Sequence, residues 1–421
     1  MLASLPALLS LIFCFAPRAG AIYGNYNSIL IGDLSAGLGG AGTSITEDAS
    51  AGAWYNPATL AVFEGQSFSA SVGIYKKFAT TFGPSENPVN SALRANQGFF
   101  QAVPSSTGSV VRYEETEWLK DWTLTLSILV PEYDTYTGTV KSTDNYNSKI
   151  DFTDQALWVG AAFSRKISAD GFFGFTVYYT ARSFNLTITE RTYTDAANFQ
   201  IFSEERTITQ NSVVLLLGYL NRVTENWNWG ISFRLPSLSV AGQGVFARTS
   251  IINGQNTPAP ISYSNLLSRG HIPVRLSTGV SYRGAPDWLW SFDLSYYGAE
   301  SYSDMESDDI AERIEHKPIV NFALGAEYKW NSWFKLRGGV FTNLSSYPDP
   351  DPAKVWAQGD HVDQLGFSAN AALLRKNIEY TFGGYYTGGH GLSSQRVDGQ
   401  NTVIAKSQNL FTMLVGTSYH F

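Results

Sequence analysis

Apolar and polar residues alternate along most of this chain, from Ser67 to the C-terminal end. One clear series of apolar residues at every second position consists of Trp122, Leu124, Leu126, Ile128 and Val130. A period of two is typical of β-strands that have one apolar face. The pattern predicts an all-β protein with about 14 strands, an even number, as single-chain bacterial β-barrels have.

The predicted strands are joined alternately by short and long connections. The short links lie at residues 168–171, 224–226, 284–287, 331–332 and 375–377. The long polar links lie near residues 79–96, 136–153, 189–206, 249–270, 301–317, 347–360 and 389–407. Tight periplasmic turns at one end and long outer loops at the other are typical of a transmembrane antiparallel barrel. A soluble β-sandwich does not separate its short and long loops so regularly.

The composition agrees with strands that face lipid on one side. Charged residues make up only 15% of the chain, and aromatic residues make up 14%. No apolar stretch approaches the roughly 20 residues that a membrane-spanning helix needs. The net charge of −7 provides no basic surface for nucleic acid. Because lipid offers no hydrogen-bond partners, a sheet that spans a membrane must close on itself.

The N-terminal part of the chain differs from the rest. Residues 1–21 contain an apolar run and then Ala19-Gly20-Ala21, which together predict a secretory signal peptide. Cys14 is the only cysteine, so we expect no disulfide after cleavage. Residues 22–66 are rich in Gly, Ala and Ser and lack strand alternation, whereas residues 67–421 are predicted to form the barrel. These features predict export to the outer membrane of a Gram-negative bacterium.

Several charged residues occupy predicted strand positions. Facing lipid near the bilayer midplane would cost about 2–4 kcal/mol for each Arg or Lys, so we expect these side chains in the lumen. An unpaired buried charge is costly, and opposite charges should therefore interleave. The predicted lumen charge network consists of Arg234, Arg275, Asp293, Glu327, Arg337 and Glu379.

The order of short motifs resembles the FadL/TodX family of outer-membrane transporters for long-chain fatty acids and hydrocarbons. The resemblance rests on Ala36-Gly37-Leu38-Gly39-Gly40-Ala41-Gly42, Asp48-Ala49-Ser50, Tyr55-Asn56-Pro57-Ala58, Ser232-Phe233-Arg234-Leu235-Pro236 and Gly416-Thr417-Ser418-Tyr419-His420-Phe421. It covers nearly the whole mature chain. Two departures are Thr59, where the family often has Gly, and Val130-Pro131-Glu132-Tyr133, where the family often has Pro-Phe-Gly.

The resemblance implies a monomeric barrel plugged by an N-terminal hatch, residues 22–66. A ligand would be captured at the outer face, pass an apolar pocket and leave sideways through a break in the wall, without a cofactor. The predicted hatch and gating residues are Gly39, Gly40, Asn56, Pro57 and Ala58.

Two further sites are predicted in the wall itself. Pro131 cannot donate to a strand ladder, so it is expected at a bulge, rim or gap, and Pro131 with Glu132 is predicted to mark the lateral opening. An ordinary strand end is the alternative. Gly416, Tyr419 and Phe421 resemble the C-terminal signal that the barrel-assembly machinery reads.

No enzyme is predicted. The five His are isolated, without the spacing of a metal site, and no serine elbow suggests an esterase. Gly37, Gly39 and Gly42 match a dinucleotide fingerprint, but no strand precedes them and no amphipathic helix follows. The expected partners are a hydrophobic ligand, outer-membrane lipid and lipopolysaccharide, and the assembly machinery.

The leading hypothesis for function is therefore passive uptake of long-chain fatty acids or hydrocarbons. The alternative is a barrel with a structural or secretion-assembly role and no transport. A general porin ranks below both, because a hatch would obstruct an open pore.

Overall fold

The structure, a computed structural model, describes most of the chain between residues 24 and 420. The described ranges are 24–63, 66–82, 94–95, 100–112, 121–143, 146–193, 199–253, 255–256, 259–307, 313–354, 358–397 and 400–420. The predicted signal peptide, residues 1–21, and Phe421 of the predicted assembly signal lie outside these ranges.

The described residues contain 20 strands, two short α-helices and one 3₁₀ helix. The strands are β1 (Ser67–Phe82), β2 (Arg94–Ala95), β3 (Phe100–Arg112), β4 (Trp122–Thr143), β5 (Tyr146–Lys166), β6 (Gly171–Tyr193), β7 (Phe199–Arg222), β8 (Trp227–Arg234), β9 (Leu238–Ile252), β10 (Gln255–Asn256), β11 (Ile261–Leu267), β12 (Arg275–Tyr282), β13 (Trp288–Tyr297), β14 (Glu300–Tyr302), β15 (Ile314–His316), β16 (Ile319–Lys329), β17 (Phe334–Asn343), β18 (His361–Arg375), β19 (Ile378–Val397) and β20 (Gln400–His420). The helices are α1 (Leu34–Gly37) and α2 (Ala49–Tyr55), and the 3₁₀ helix is Pro57–Val62.

The strands form a closed antiparallel barrel. β1 pairs with β3 on one side and with β20 on the other, so the sheet has no open edge at the ends of the chain. β7 pairs with β8 over residues 216–222 and with β9 over residues 200–213. The change of partner from β8 to β9 falls at residues 235–237, where Pro236 has no N–H to donate to β7. The count of wall strands leaves out the short strands β2, β10, β14 and β15 and takes β8 with β9, and β11 with β12, as one strand each. The described residues then form 14 wall strands. The predicted antiparallel β-barrel of about 14 strands is confirmed.

Three predicted long links are mostly strand. β4 continues to Thr143 and β5 begins at Tyr146. Likewise, β6 ends at Tyr193 and β7 begins at Phe199, while β19 ends at Val397 and β20 begins at Gln400. Links predicted at 136–153, 189–206 and 389–407 were therefore too long. Backbone pairing does not depend on an apolar face, and Thr-rich and Tyr-rich sequence such as residues 135–140 favours strand even where both faces are polar.

The two faces of the barrel differ in chemistry. Exposed apolar side chains cover the outside of the wall, including Leu126, Phe322, Phe367 and Phe382. We call this surface the apolar belt. The inside is lined largely by small or polar buried residues such as Thr125. An apolar outer band with a polar interior is the arrangement that a lipid-embedded barrel requires.

Residues 24–63, called the N-terminal segment below, contact the inner face of the wall on several sides. Oγ1 of Thr176 on β6 donates to the carbonyl of Ala53 at 2.9 Å, and Oγ of Ser368 on β18 donates to the carbonyl of Gly37 at 2.8 Å. The Asp48 side chain accepts from the amide of Ala51 and so caps α2. No helix among the described residues is long and apolar enough to cross a membrane.

Candidate ligand site

The pairing between β3 and β4 stops partway along both strands. They pair from Arg112–Thr123 up to Ser106–Leu129, and no further pairing joins their described residues. Both strands nevertheless continue, β3 to Phe100 against β1 and β4 to Thr143 against β5. Residues 100–105 and 132–143 therefore border an interruption of the described pairing, which we call the window. β2, which pairs with β1, lies close to β4 and bounds the window on that side.

A bulge in β4 lies at the edge of the window. Leu129 pairs with Trp158 and Glu132 pairs with Ala156, so Val130 and Pro131 together oppose a single residue of β5. An extra residue of this kind bends a strand and locally disrupts its ladder. Pro131 has no N–H and so cannot donate to a neighbouring strand.

A second irregularity lies on the opposite border. In the pairing of β3 with β1, Ser106 pairs with Ser71 and Pro104 pairs with Val72, so Ser105 is the extra residue. Each strand therefore has a bulge and a proline where their mutual pairing ends. The sequence analysis singled out Pro131 but missed Pro104.

The β4 bulge also changes the direction of the side chains that follow it. Residues directly opposite each other in a sheet share a face, and Ala156, the partner of Glu132, is 3% exposed on the inside. Glu132 therefore faces the lumen, where it is half-buried. Unbroken alternation would have continued the lipid-facing series and placed Glu132 outside. The bulge shifts the phase by one residue and so turns Glu132 inward.

A cluster of apolar and aromatic side chains lies directly inside the window. Its main members are Ile29, Ile31, Trp54, Leu129, Ala156, Trp158, Tyr178 and Ile272, and we call it the central cluster. The rings of Trp54 and Trp158 meet edge to face at 5.1 Å, and Trp158 meets Tyr178 at 5.6 Å. Val130 in the bulge and Tyr133 just after it pack against this cluster. The N-terminal segment and the wall thus both contribute to one apolar site.

Two arginines border the central cluster without an acidic partner. Arg234 and Arg275 are neighbours across β8 and β12, and they are 4% and 3% exposed. Their guanidinium carbons lie 5.8 and 5.0 Å from the ring centre of Trp54. Nε of each finds no hydrogen-bond partner, and no carboxylate of the described residues lies within 4.0 Å of either side chain. We call these residues the arginine pair.

The arginine pair is held by carbonyl groups instead of carboxylates. Arg275 donates to the carbonyl of Trp54 at 2.6 Å, and Arg234 donates to that of Pro273 at 3.3 Å. Two buried like charges side by side are unfavourable unless an anion is present. Glu132 interacts electrostatically with Arg234, and Asp293 with Arg275, but neither carboxylate contacts its arginine directly. The site therefore combines an apolar surface with two cations that no described carboxylate contacts.

The predicted lumen charge network is divided in the structure. Arg337 forms ion pairs with Glu327 at 2.8 Å and with Glu379 at 2.5 Å, near the end of the barrel with the short turns. Asp293 instead accepts from the backbone amide of Thr43 at 2.8 Å. All six predicted side chains are on the inner side, but the single interleaved network was a wrong prediction. Arg234 and Arg275 are register neighbours, which the sequence pattern could not reveal.

The predicted hatch residues are buried in the N-terminal segment. Nδ2 of Asn56 donates to the carbonyls of Thr43 and Tyr219, at 2.8 and 3.0 Å, while its Oδ1 accepts from the amide of Ala58. Pro57 opens the 3₁₀ helix. Asn56 thus ties two parts of the segment to the wall strand β7.

Two of the predicted hatch glycines require a left-handed backbone. Gly39 and Gly40 have φ angles of 71° and 87°, which residues with a Cβ rarely adopt. Gly39 also lies against the backbone of Val340 on β17. Their place in the segment is therefore set by local conformation and by close packing on the wall.

The predicted assembly residues have mixed surroundings. Gly416 faces inward, and a Cβ there would lie closer than 3.0 Å to both carboxylate oxygens of Asp33. Burial, reinforced by the neighbouring Asp48 carboxylate, raises the pKa of Asp33 to about 8. Tyr419 is half-buried and pairs with Phe68 and Ile378. Gly416 thus has a packing role that the sequence analysis did not foresee.

The sequence analysis missed the aromatic members of the central cluster. Trp158 alternates with the exposed residues Leu157 and Val159, so it faces inward. This alternation could have identified Trp158 as a lumen residue from the sequence. Trp54 carried no such signal, because the N-terminal segment has no strand period. Among the described residues, no three His, Cys, Asp or Glu side chains are placed to hold a metal ion.

Solved structures of similar fold exist, although neither a comparison with protein-family models nor one with curated proteins found a match. A FadL homologue from Pseudomonas aeruginosa is 13% identical, with 96% of this chain and 100% of that chain covered and a TM-score of 0.64. The toluene transporter TodX from Pseudomonas putida is 14% identical, with 93% and 98% covered and a TM-score of 0.64. The toluene transporter TbuX from Ralstonia pickettii is 15% identical, with 94% and 100% covered and a TM-score of 0.58. The chain therefore has the FadL/TodX type of barrel fold.

Proposed function

We propose that this protein is an outer-membrane channel of a Gram-negative bacterium that takes up hydrophobic molecules passively. The observation that carries the proposal is the window, which lies directly beside the apolar central cluster. A ligand in contact with Trp54 and Trp158 would have only the bulged wall between itself and the surrounding lipid. The N-terminal segment acts as the hatch that closes the rest of the lumen.

The height of the window fits an exit into the outer leaflet. Pro131 lies opposite Leu157, which is exposed and apolar, whereas the next outward residue on β5 is Gln155, which is polar. The window thus begins at the upper edge of the apolar belt. A greasy ligand leaving there would enter lipid without crossing bulk water, where its exposure is unfavourable.

The arginine pair favours a ligand with an anionic head group. A carboxylate between Arg234 and Arg275 would offset one of the two buried positive charges, reduce their mutual repulsion and accept hydrogen bonds from their free N–H groups. Hydrogen bonds to charged groups contribute about 1.5–3 kcal/mol each. Long-chain fatty acids fit this site better than uncharged hydrocarbons do, and the central cluster would hold the start of the acyl chain.

The route is tested by removing the bulge. Deleting Pro131 leaves Val130 alone opposite Leu157 and keeps the pairing of Glu132 with Ala156, so the faces of β4 do not change. We expect uptake of labelled fatty acid by cells to fall strongly. The matched control is Pro131→Val, which restores an N–H but keeps the extra residue, and should reduce uptake less. Normal uptake in a correctly inserted deletion variant would rule out the window as the route.

The ligand class is tested by replacing both arginines. In the double variant Arg234→Met, Arg275→Met, we expect affinity for a fatty acid to fall at least roughly 10- to 150-fold, as the loss of one charged hydrogen bond implies. Affinity for its uncharged methyl ester should hardly change. Equal losses for both ligands would refute a head-group role. Absence of binding and uptake of every hydrophobic ligand tested with the wild-type protein would favour the structural or assembly role instead.

A further inference from the structure

Two neighbouring short turns carry an unusual combination of exposed tryptophan and positive charge. The first turn, between β16 and β17, contains Trp330 and Trp333, which are 64% and 56% exposed. The second, between β18 and β19, follows Arg375 and contains Lys376. The amide of Leu374 donates to the carbonyl of Trp333 at 2.8 Å, so the two turns are in direct contact.

The positive charges at this place are not neutralised by the protein. Lys329, Arg375 and Lys376 are exposed, and none of them forms an ion pair with a described carboxylate. Elsewhere at the same end of the barrel, Arg283 pairs with Glu47 at 2.7 Å and Arg165 lies 3.9 Å from Asp121. Lys166 and Arg222 at this end likewise form no ion pair with a described carboxylate, but their charged groups lie 5.9 and 5.2 Å from the ring centre of Phe172. The cations beside Trp330 and Trp333 are thus exposed without an ion partner among the described residues.

The wall next to these turns is apolar. Leu336 on β17 and Leu373 on β18 are exposed on the outer face, within a few residues of the two turns. Tryptophan prefers the boundary between hydrocarbon and head groups. The spatial order of these side chains, from the apolar wall through the tryptophans to the cations, therefore matches the layers of a phospholipid from acyl chain to phosphate.

We propose that these two turns bind an anionic phospholipid of the periplasmic leaflet. Lys329, Arg375 and Lys376 contact the head-group phosphate, Trp330 and Trp333 lie at the glycerol level, and Leu336 and Leu373 contact an acyl chain. The local backbone is well fixed for this purpose: Trp330 and Asn331 both donate to the carbonyl of Phe334, at 3.1 and 3.3 Å. The site lies at the opposite end of the wall from the window and does not depend on the ligand that is transported.

The test is native mass spectrometry of the full-length protein, purified in detergent and mixed with equal amounts of phosphatidylglycerol and phosphatidylethanolamine. A basic residue near a membrane surface gains about 1 kcal/mol from anionic lipid. We therefore expect the wild-type protein to retain phosphatidylglycerol preferentially. The variant Lys329→Gln, Arg375→Gln, Lys376→Gln should lower the ratio of the two bound lipids on the order of 10- to 100-fold.

The matched control removes three cations from turns on the other side of the barrel, as Arg165→Gln, Lys166→Gln, Arg222→Gln. It should keep the wild-type lipid ratio. The variant Trp330→Ala, Trp333→Ala should retain less of both lipids at an unchanged ratio. An unchanged ratio in the first variant, an equal loss in the control, or displacement of the lipid by glycerol phosphate at comparable concentration would overturn the proposal. Heat-modified migration on gels confirms that each variant is folded.

Discussion

The contact between the N-terminal segment and β17 permits a sharp test, because two adjacent glycines face opposite sides of the wall. A Cβ on Gly339 would point inward and lie closer than 3.0 Å to the backbone of Leu38 and Gly39. A Cβ on Gly338 would point outward, with its nearest neighbour, the carbonyl of Ser368, at 3.8 Å. The variants Gly339→Ala and Gly338→Ala therefore make the same chemical change in the same strand.

The size of the effect follows from the atoms involved. In Gly339→Ala, the new methyl group meets backbone atoms only, so the segment itself must move by about 1 Å to restore ordinary contact. Gly39 is held in a left-handed conformation, and the amide of Gly40 donates to the carbonyl of Ser35 at 2.8 Å, so the loop resists adjustment. Overpacking of this kind costs about 1–3 kcal/mol. That free energy corresponds to a rise of roughly 5- to 150-fold in the population of the displaced segment.

Hydrogen exchange followed by mass spectrometry measures this population directly, since local opening exposes amides. We expect peptides covering residues 34–45 to exchange roughly 5- to 150-fold faster in Gly339→Ala, and at the wild-type rate in Gly338→Ala. Peptides from β5 and β6 should be unchanged in both variants. Equal exchange of the N-terminal segment in the two variants would show that it does not pack on β17 as described.

Two further predictions concern the ends of the chain. Because burial raises the pKa of Asp33 from 3.8 to about 8, the folded protein keeps a proton that the unfolded chain loses, and stability falls as pH rises between these values. Asp33→Asn should remove this decline, so that its melting temperature exceeds that of the wild type at pH 8 but not at pH 4; parallel curves would contradict the buried carboxyl. Deletion of Phe421, which lies outside the described residues, should lower the amount of barrel in the outer membrane, and a normal amount would argue against the C-terminal assembly signal.

The sequence by itself determined the class of fold. Because lipid forces a closed sheet with an apolar outer face, the period of two along residues 67–421 was sufficient to predict a barrel of about 14 strands. It also indicated the short turns and the inward direction of charges such as Arg337. These features depend on local alternation and on the solvent, and both can be read from neighbouring residues.

The site was decided by the tertiary structure. Alternation predicts the direction of a side chain only while the register is unbroken, and the bulge at Val130 and Pro131 turned Glu132 from the lipid to the lumen. Arg234 and Arg275 became neighbours only through the pairing of β8 with β12. Trp54 met Trp158 because the N-terminal segment packs inside the wall. Register and packing across the barrel join residues that are distant in sequence, and a pattern along one strand contains no information about which partner lies across from it.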